Sequence, residues 1–438
     1  MNPLALELNQ IIEQCNPQIL EMLSPLGRSL FFPKGILSQS AEAKEKAHQI
    51  NATIGIAKEF GHTMCFDSVL AAISDIPPAE CLTYAPSYGL LDLRTEWQKA
   101  LRTKNPSLRS KSISLPVVTS GVTHGISIFA DLWVDSGDVV ILPDMMWGNY
   151  NMILSVRNGA RLSHYTLFND RDGFNLEAFE KTVRAEAAAN PKIVVLLNFP
   201  QNPTGYTISK DEARSITQIL TRVAEEGTRV IVAMDDAYFG LFYEPQISKE
   251  SLFAHLSGCH PNLLAVKLDG GTKEHFIWGL RIGFITYGAA GAGELAPLYE
   301  ALEKKTAGGV RGNISNVSHL GQRILLNSMR SGANAAEKAE KFEILKARAT
   351  KVKAVLADPK YEGAWKPYPF NSGYFMCLRL KTVAAEALRV HLLDHYGVGL
   401  IALGEHDLRV AFSCIDEDQV QLLFDTILKG VQDLETAQ

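Results

Sequence analysis

The chain has 438 residues, more than one hydrophobic core holds in most folds, so a large domain and a smaller one are expected. Apolar residues make up 46% and charged residues 21%, the balance of a soluble globular protein, and a net charge of −5 argues against nucleic acid as a partner. No run of about 18 apolar residues occurs, so no membrane span is expected. The six cysteines, Cys15, Cys65, Cys81, Cys259, Cys377 and Cys414, contain no C-x-x-C pair. They read as free thiols in a reducing compartment, which places the protein in the cytoplasm.

The N-terminal MNPLALELNQIIEQC lacks a basic region and carries acids within its apolar stretch. It predicts an amphipathic helix, not a signal peptide. Through the middle of the chain, short β-branched apolar runs alternate with helical stretches. Strands are expected at Pro116–Thr119, Val139–Leu142, Ile193–Leu197, Val230–Met234, Leu263–Val266 and Ile282–Tyr287. Helices are expected at Thr123–Val134, Asn175–Ala188 and Lys210–Glu225. Such alternation predicts an α/β fold, a mostly parallel sheet with helices on both faces. The strands are apolar throughout, which fits burial on both sides.

The pattern changes near residue 330. Ala335–Leu356 reads as one long charged helix, followed by strand Tyr374–Leu380, helix Ala384–His395, strand Leu408–Phe412 and helix Asp418–Leu428. This is the pattern of a smaller α+β domain. The expected division is an N-terminal segment 1–59 belonging to the small domain, a large domain 60–330, and a C-terminal small domain 331–438.

Three segments carry chemistry. Asn198-Phe199-Pro200-Gln201-Asn202-Pro203-Thr204-Gly205 follows strand Ile193–Leu197. Its Pro and Gly residues fix a turn at a strand's C-terminal end, where ligands bind in open α/β sheets. Asn202 there can donate an amide hydrogen bond to a phenolate oxygen. Next, Asp235-Asp236-Ala237-Tyr238 follows strand Val230–Met234. A carboxylate at that strand end can keep a pyridine nitrogen protonated. The alternative is an ordinary helix N-cap, a role open to Asp236. Lys273 then follows a strand and a Gly-Gly turn, and Arg281 stands eight residues on in Gly279-Leu280-Arg281-Ile282-Gly283. A lysine at the mouth of a parallel sheet can form an imine with an aldehyde cofactor. The arginine can hold that cofactor's phosphate bidentately. Lys267 is the competing lysine, with no arginine motif at the matching offset.

In this order and spacing the three segments resemble the aminotransferases of fold type I, class I/II: Asn-Pro-Thr-Gly, then Asp-x-x-Tyr, then Lys followed by Gly-x-Arg-x-Gly. The resemblance implies pyridoxal 5′-phosphate as cofactor, bound as an imine to Lys273, with Asp235 on its ring nitrogen and Tyr238 beside it. Thr119-Ser120-Gly121-Val122-Thr123 resembles the family's phosphate-binding turn, with Gly121, Val122 and Thr123 opening a helix. Tyr84 resembles the tyrosine that reaches the phosphate of the partner subunit. Arg409 resembles the arginine that clamps the substrate α-carboxylate. Trp147, in Pro143–Tyr150, resembles the tryptophan stacked on the cofactor ring. Gly55, in Asn51–Gly55, resembles the glycine of the segment that closes over the substrate. Arg311, in Arg311–Asn316, resembles an arginine that crosses the dimer interface to a side-chain carboxylate. The implied activity is transfer of an amino group between an L-amino acid, of the aspartate or glutamate type, and a 2-oxo acid, in a homodimer.

There are departures. Gly270 stands three residues before Lys273, where these enzymes usually place a serine on the phosphate, with Thr272 as the nearby hydroxyl. Tyr150 stands where aspartate aminotransferases often have histidine, and Val317-Ser318 replaces the usual prolines after Asn316. Other reactions on this scaffold, amino-acid β-decarboxylation and β-elimination, are open alternatives, because fold does not choose among them. A non-enzymatic effector domain is disfavoured by the absence of a basic DNA-binding module. The run Gly288–Gly293 follows a strand, but its spacing is not that of a dinucleotide-binding turn.

Overall fold

The computed structural model describes residues 1–32, 35–74, 76–291 and 293–436. Seven strands form the central sheet: β1 (Val117–Thr119), β2 (Val139–Pro143), β3 (Arg161–Tyr165), β4 (Lys192–Asn198), β5 (Arg229–Asp235), β6 (Leu263–Gly270) and β7 (Gly283–Ala289). Their order is β1-β7-β6-β5-β4-β2-β3, and only β7 runs against its neighbours. Side chains alternate between two cores. Along β4, Val194 and Leu196 enter one, while Ile193, Val195 and Leu197 enter the other. Burial on both faces explains the unbroken apolar runs. The edge strand β3, with sequence RLSHY, was not expected because it is buried at Tyr165 alone.

Helices Gly121–Trp133, Leu176–Ala189 and Lys210–Glu225 match the expected ones closely. The last starts in a reciprocal cap, in which Ser209 Oγ accepts from the Glu212 amide and Glu212 accepts from the Ser209 amide. Its residues Ala213, Ile216, Leu220 and Val223 lie buried on one stripe.

A second, antiparallel sheet orders Trp365–Pro367, Met376–Leu380, Asp407–Val410 and Ile401–Leu403. Its core is shared with helices Asn334–Leu356, Ala385–Tyr396 and Gln419–Thr436, and also with Ile50 and Ala52. Ile50–Asn51 pairs in parallel with Val398–Gly399. The segment 1–59 divides its contacts: helix Ile36–Lys46 adjoins this second sheet, whereas helix Pro25–Ser29 rests on Asn151–Arg157, beside the first.

Several local expectations are corrected. Strand β6 runs through Gly270, and Gly271–Glu274 forms one helical turn, so Lys273 sits on a helix turn and not in a Gly-Gly loop. Asp235 is the last residue of β5, not the first beyond it. Asp236 caps no helix, since turns follow it until Leu252–Leu256. Arg311 lies in the last turn of helix Ala296–Ile314. In the run Gly288–Gly293, Ala292 lies outside the described residues, and Gly288 and Ala289 belong to β7. No helix among the described residues is long and apolar enough to cross a membrane.

Candidate active site

Strands β4, β5 and β6 end side by side, with Asn198 opposite Asp235 and Asp235 opposite Leu268. Above these ends lies a cavity of about 230 Å³. Lys273, Asp235, Tyr238, Asn202, Arg281, Val122, Thr123, Trp147, Gly55 and Arg409 all line it, although the chain separates them by up to several hundred positions. Gly121 adjoins it through Arg281.

Asn198 ties the loops together. Its Nδ2 donates to the Asp235 carbonyl at 2.7 Å, and its Oδ1 accepts from the Asn202 amide at 2.8 Å. The Asp235 carboxylate is buried, and burial raises its pKa above the ordinary value. A hydrogen bond donated by Tyr150 at 2.6 Å and the charge of Lys273 oppose that rise. Tyr150 was noted in the sequence only as a departure. Here its buried phenol is held protonated, its pKa raised by burial and by the neighbouring carboxylate. Its ring also meets Trp147 edge-to-face at 5.4 Å.

The Lys273 ammonium stands 4.8 Å from the centre of the Tyr238 ring. Burial pushes its pKa down to about 8, helped by Arg281 and opposed by Asp235. A depressed lysine presents the neutral amine, the form that attacks a carbonyl, at a lower pH than an ordinary lysine does. The rate at which the cofactor-free protein combines with an aldehyde should therefore rise with pH and level off above about 8. Stopped-flow absorbance between pH 6 and 10 reads this directly; a rise still continuing toward pH 10 would contradict the depressed value. Lys267 does not enter the cavity: it is fully buried within β6 and paired with Asp236. This removes it as a competitor to Lys273.

The turn after β1 opens helix Gly121–Trp133, so the first amides have no acceptor within the helix. Gly121 has φ +77°, and a Cβ there would come within 2.4 Å of Arg281 Nη2. A side chain at 121 would displace the guanidinium. Gly270 is explained the same way: a Cβ would lie 2.6 Å from the Ile282 carbonyl oxygen. The usual serine does not fit this close approach of β6 and β7. The Thr272 hydroxyl, buried and without a hydrogen-bond partner among the described residues, is the one next to Lys273.

Arg409 comes from the second sheet. Its guanidinium donates to Asn202 Oδ1 at 3.1 Å and to the Thr53 carbonyl at 2.8 Å, and it lies 4.2 Å from the centre of the Phe375 ring. Its buried Nε has no partner among the described residues. Gly55 lets its loop press close, since a Cβ there would stand 3.0 Å from Phe375 and 3.4 Å from the Tyr238 hydroxyl. Asn198, Tyr150 and Phe375 were missed as site residues because each acts through a contact with a distant segment. Tyr84 and Arg311 do not line this cavity. Tyr84 is 91% exposed, and Arg311 Nη1 donates to Ser315 Oγ at 2.6 Å.

The sequence matches the family described as Aminotransferase class I and II over residues 47–427. The chain belongs to this family. Among curated relatives, it is 24% identical to a probable N-acetyl-LL-diaminopimelate aminotransferase of Bacillus subtilis, over 81% of each chain. It is 22% identical to an aspartate aminotransferase of Sulfurisphaera tokodaii, over 76% of this chain and 79% of that one. Among solved structures, an aminotransferase from Anaerococcus prevotii superposes with a TM-score of 0.80 at 23% identity, covering 91% of this chain and 96% of that one. As a class I and II aminotransferase the protein is an enzyme that uses pyridoxal phosphate. The cavity fits that cofactor. It offers a neutralisable lysine for the aldehyde, a buried carboxylate for the ring nitrogen, and an arginine, free helix-start amides and an unpartnered hydroxyl for the phosphate.

Proposed function

We propose that the aminotransferase takes an acidic L-amino acid, aspartate or glutamate, as amino donor and returns the amino group to a 2-oxo acid, using the cavity around Lys273. The observation that carries the placement of the substrate is Arg409: a buried guanidinium whose Nε has no partner among the described residues, facing the same cavity as Lys273 and Asp235. That is a receptor for the carboxylate all amino acids share. Bound there, pyridoxal phosphate supplies the electron sink that accommodates the pair left at Cα when its proton departs.

The residues then divide the work. Arg409 orients the substrate so that its Cα–H faces Lys273. The Lys273 amine, neutral above about pH 8, would take that proton from Cα and pass it to the cofactor's C4′. Asp235, steadied by Tyr150 and Asn198, holds the ring-nitrogen proton. Asn202 and Tyr238 serve the phenolic oxygen side. Gly121, Val122, Thr123, Thr272 and Arg281 hold the phosphate, and Trp147 covers the ring. Gly55 sits in the segment that shuts water out. For the chain as a whole we propose a large domain 60–330 and a small one formed by 331–438 with residues up to 59.

The acidic preference rests on Arg311 and on a second copy of the chain. Ser87 donates to the Ser315 carbonyl, and Thr83 contacts His319, so the Tyr84 loop and the end of the Arg311 helix form one surface. Leu82, Tyr84, Ile314 and Leu320 are exposed on it. An apolar patch of this kind marks a protein interface. A two-fold dimer would let Tyr84 and Arg311 of each subunit reach the other's cavity. Light scattering at micromolar concentration should give twice the chain mass; a fully active monomer would rule out this arrangement.

Arg311→Leu tests the substrate. Arg311 is exposed on the single chain, but seated in the partner's cavity an unpaired buried cation would be unfavourable by roughly 3–5 kcal/mol, a hundredfold or more in relative kcat/KM. Aspartate and glutamate should therefore be preferred by the wild type. The variant should lose most of their turnover while sparing alanine. Equal loss for every amino acid would make Arg311 a structural residue.

A further inference from the structure

On the far side of β5 and β6 from the cavity lies a cluster of charges that the reaction does not touch. Lys267, in the middle of β6, is 0% exposed. Its ammonium pairs with Asp236 and stands 3.7 Å from Asp269. Ser251 donates to Asp236 at 2.6 Å, and Trp97 Nε1 donates to both oxygens of Asp269 at 3.2 Å. The ammonium also lies 4.5 Å from the centre of the Phe239 ring. Every strong hydrogen-bonding group in this nest is partnered. Yet a buried ion pair seldom stabilises a fold more than apolar residues of the same volume would. Stability alone does not account for a cation inside this sheet.

Its location does. Asp236 directly follows Asp235, and its amide continues the ladder by donating to the Leu268 carbonyl at 2.9 Å. In extended chain, neighbouring side chains point to opposite sides. Fastening Asp236 behind the sheet turns Asp235 toward the cavity. We propose that Lys267 is a positioning residue for Asp235: it anchors Asp236 behind the sheet and neutralises the charge that Asp236 would otherwise impose on Asp235. This rests on Asp235 being the partner of the cofactor's ring nitrogen.

The groups that face Asp235 are Tyr150, Lys273, Tyr238 and Asp236, and of these Asp236 works to raise its pKa. Those that face Lys267 are Asp236, Asp269 and Glu274. Glu274 is already matched by Lys104 and Lys338, at 2.8 and 3.1 Å. Lys267 is thus the cation bonded to Asp236 among the described residues. Without it, a bare carboxylate would lie one residue from Asp235. Asp235 would become more basic and draw the proton off the ring nitrogen.

The test compares Lys267→Met, Ser251→Ala and the pair Lys267→Met with Asp236→Asn, each loaded with cofactor. Lys267→Met should lower kcat about tenfold or more and move the acid limb of kcat up by about one pH unit, the factor one pKa unit represents. KM for the amino donor should stay within about threefold. The 15N shift of the ring nitrogen should move toward that of neutral pyridine. The paired variant removes the carboxylate next to Asp235, leaving Asp269 held by Trp97, and should recover the kcat, the acid limb and the 15N shift. If Lys267→Met folds too poorly to measure, Ser251→Ala removes one anchor of Asp236 together with the cap of helix Leu252–Leu256, a smaller loss. It should shift the same three readouts in the same direction by a smaller amount. A fall in Tm alone, with kcat, acid limb and 15N shift unchanged per folded site in every variant, would overturn the proposal. An Asp235→Ala variant with normal turnover and normal 15N shift would instead overturn the reading of Asp235 itself.

Discussion

Lys273→Ala is expected to remove nearly all turnover while the fold and the cavity persist. Two separate contributions are lost. The first is the covalent attachment of the cofactor: after borohydride treatment, mass spectrometry should find no cofactor fixed to the variant. The second is proton transfer at Cα, and removing a positioned general base typically lowers rate by about 10²–10⁴-fold. Water, the base left to take its place, is far weaker than an amine held near pKa 8. Added small amines should restore part of the activity. A variant that still became covalently labelled would assign the attachment to another lysine. Lys267 is a poor substitute, because it is fully buried away from the cavity in a salt bridge with Asp236.

Asp235→Ala should leave a folded protein that binds pyridoxal phosphate but turns over hundreds of times more slowly or worse. The proposed phosphate cradle, the helix start at Gly121 with Arg281, does not involve Asp235, so binding should survive. What is lost is an ion pair in a shielded site, of the kind whose disruption is unfavourable by about 3–5 kcal/mol. Here the loss falls on the barrier to proton departure, because an uncharged ring takes up less of the developing charge. Asp235→Asn should be nearly as damaging, since an amide fills the space but carries no charge. The loss should appear in kcat with KM changed little. Unchanged turnover would refute the electrostatic role.

Much of this was legible in the chain itself. Strands β4 and β5 at their inner positions, and β6 from Leu263 to Val266, are apolar because both faces are covered, so they were visible without alternation. Asn202 and Lys273 follow closely on a strand end, Asp235 closes β5 and Arg281 stands just before the antiparallel β7, and these points converge on one crevice at the C-terminal ends of the parallel strands. The expected helix at Lys210–Glu225 was bounded correctly because Ser209 and Glu212 form a local cap. Local chemistry determined these features, and local sequence reports them.

Other features depended on contacts between distant segments, and only the tertiary structure decided them. Lys267 and Lys273 are both lysines near the end of β6. One side of the sheet is filled with Asp236 and Asp269, and the other opens on Asp235 and Tyr238. Gly270 looked like a lost phosphate ligand until the approach of Ile282 left no room for a side chain. Tyr150 looked like a departure until its hydroxyl met Asp235 from 85 residues away. Arg409 gained its meaning from Asn202 and Thr53, 207 and 356 positions distant. The sequence carries the side chains that do chemistry and the strands that deliver them. Which way each points, and whether its charge is paired or spare, is a property of packing, where the neighbour that matters is rarely a neighbour in the chain.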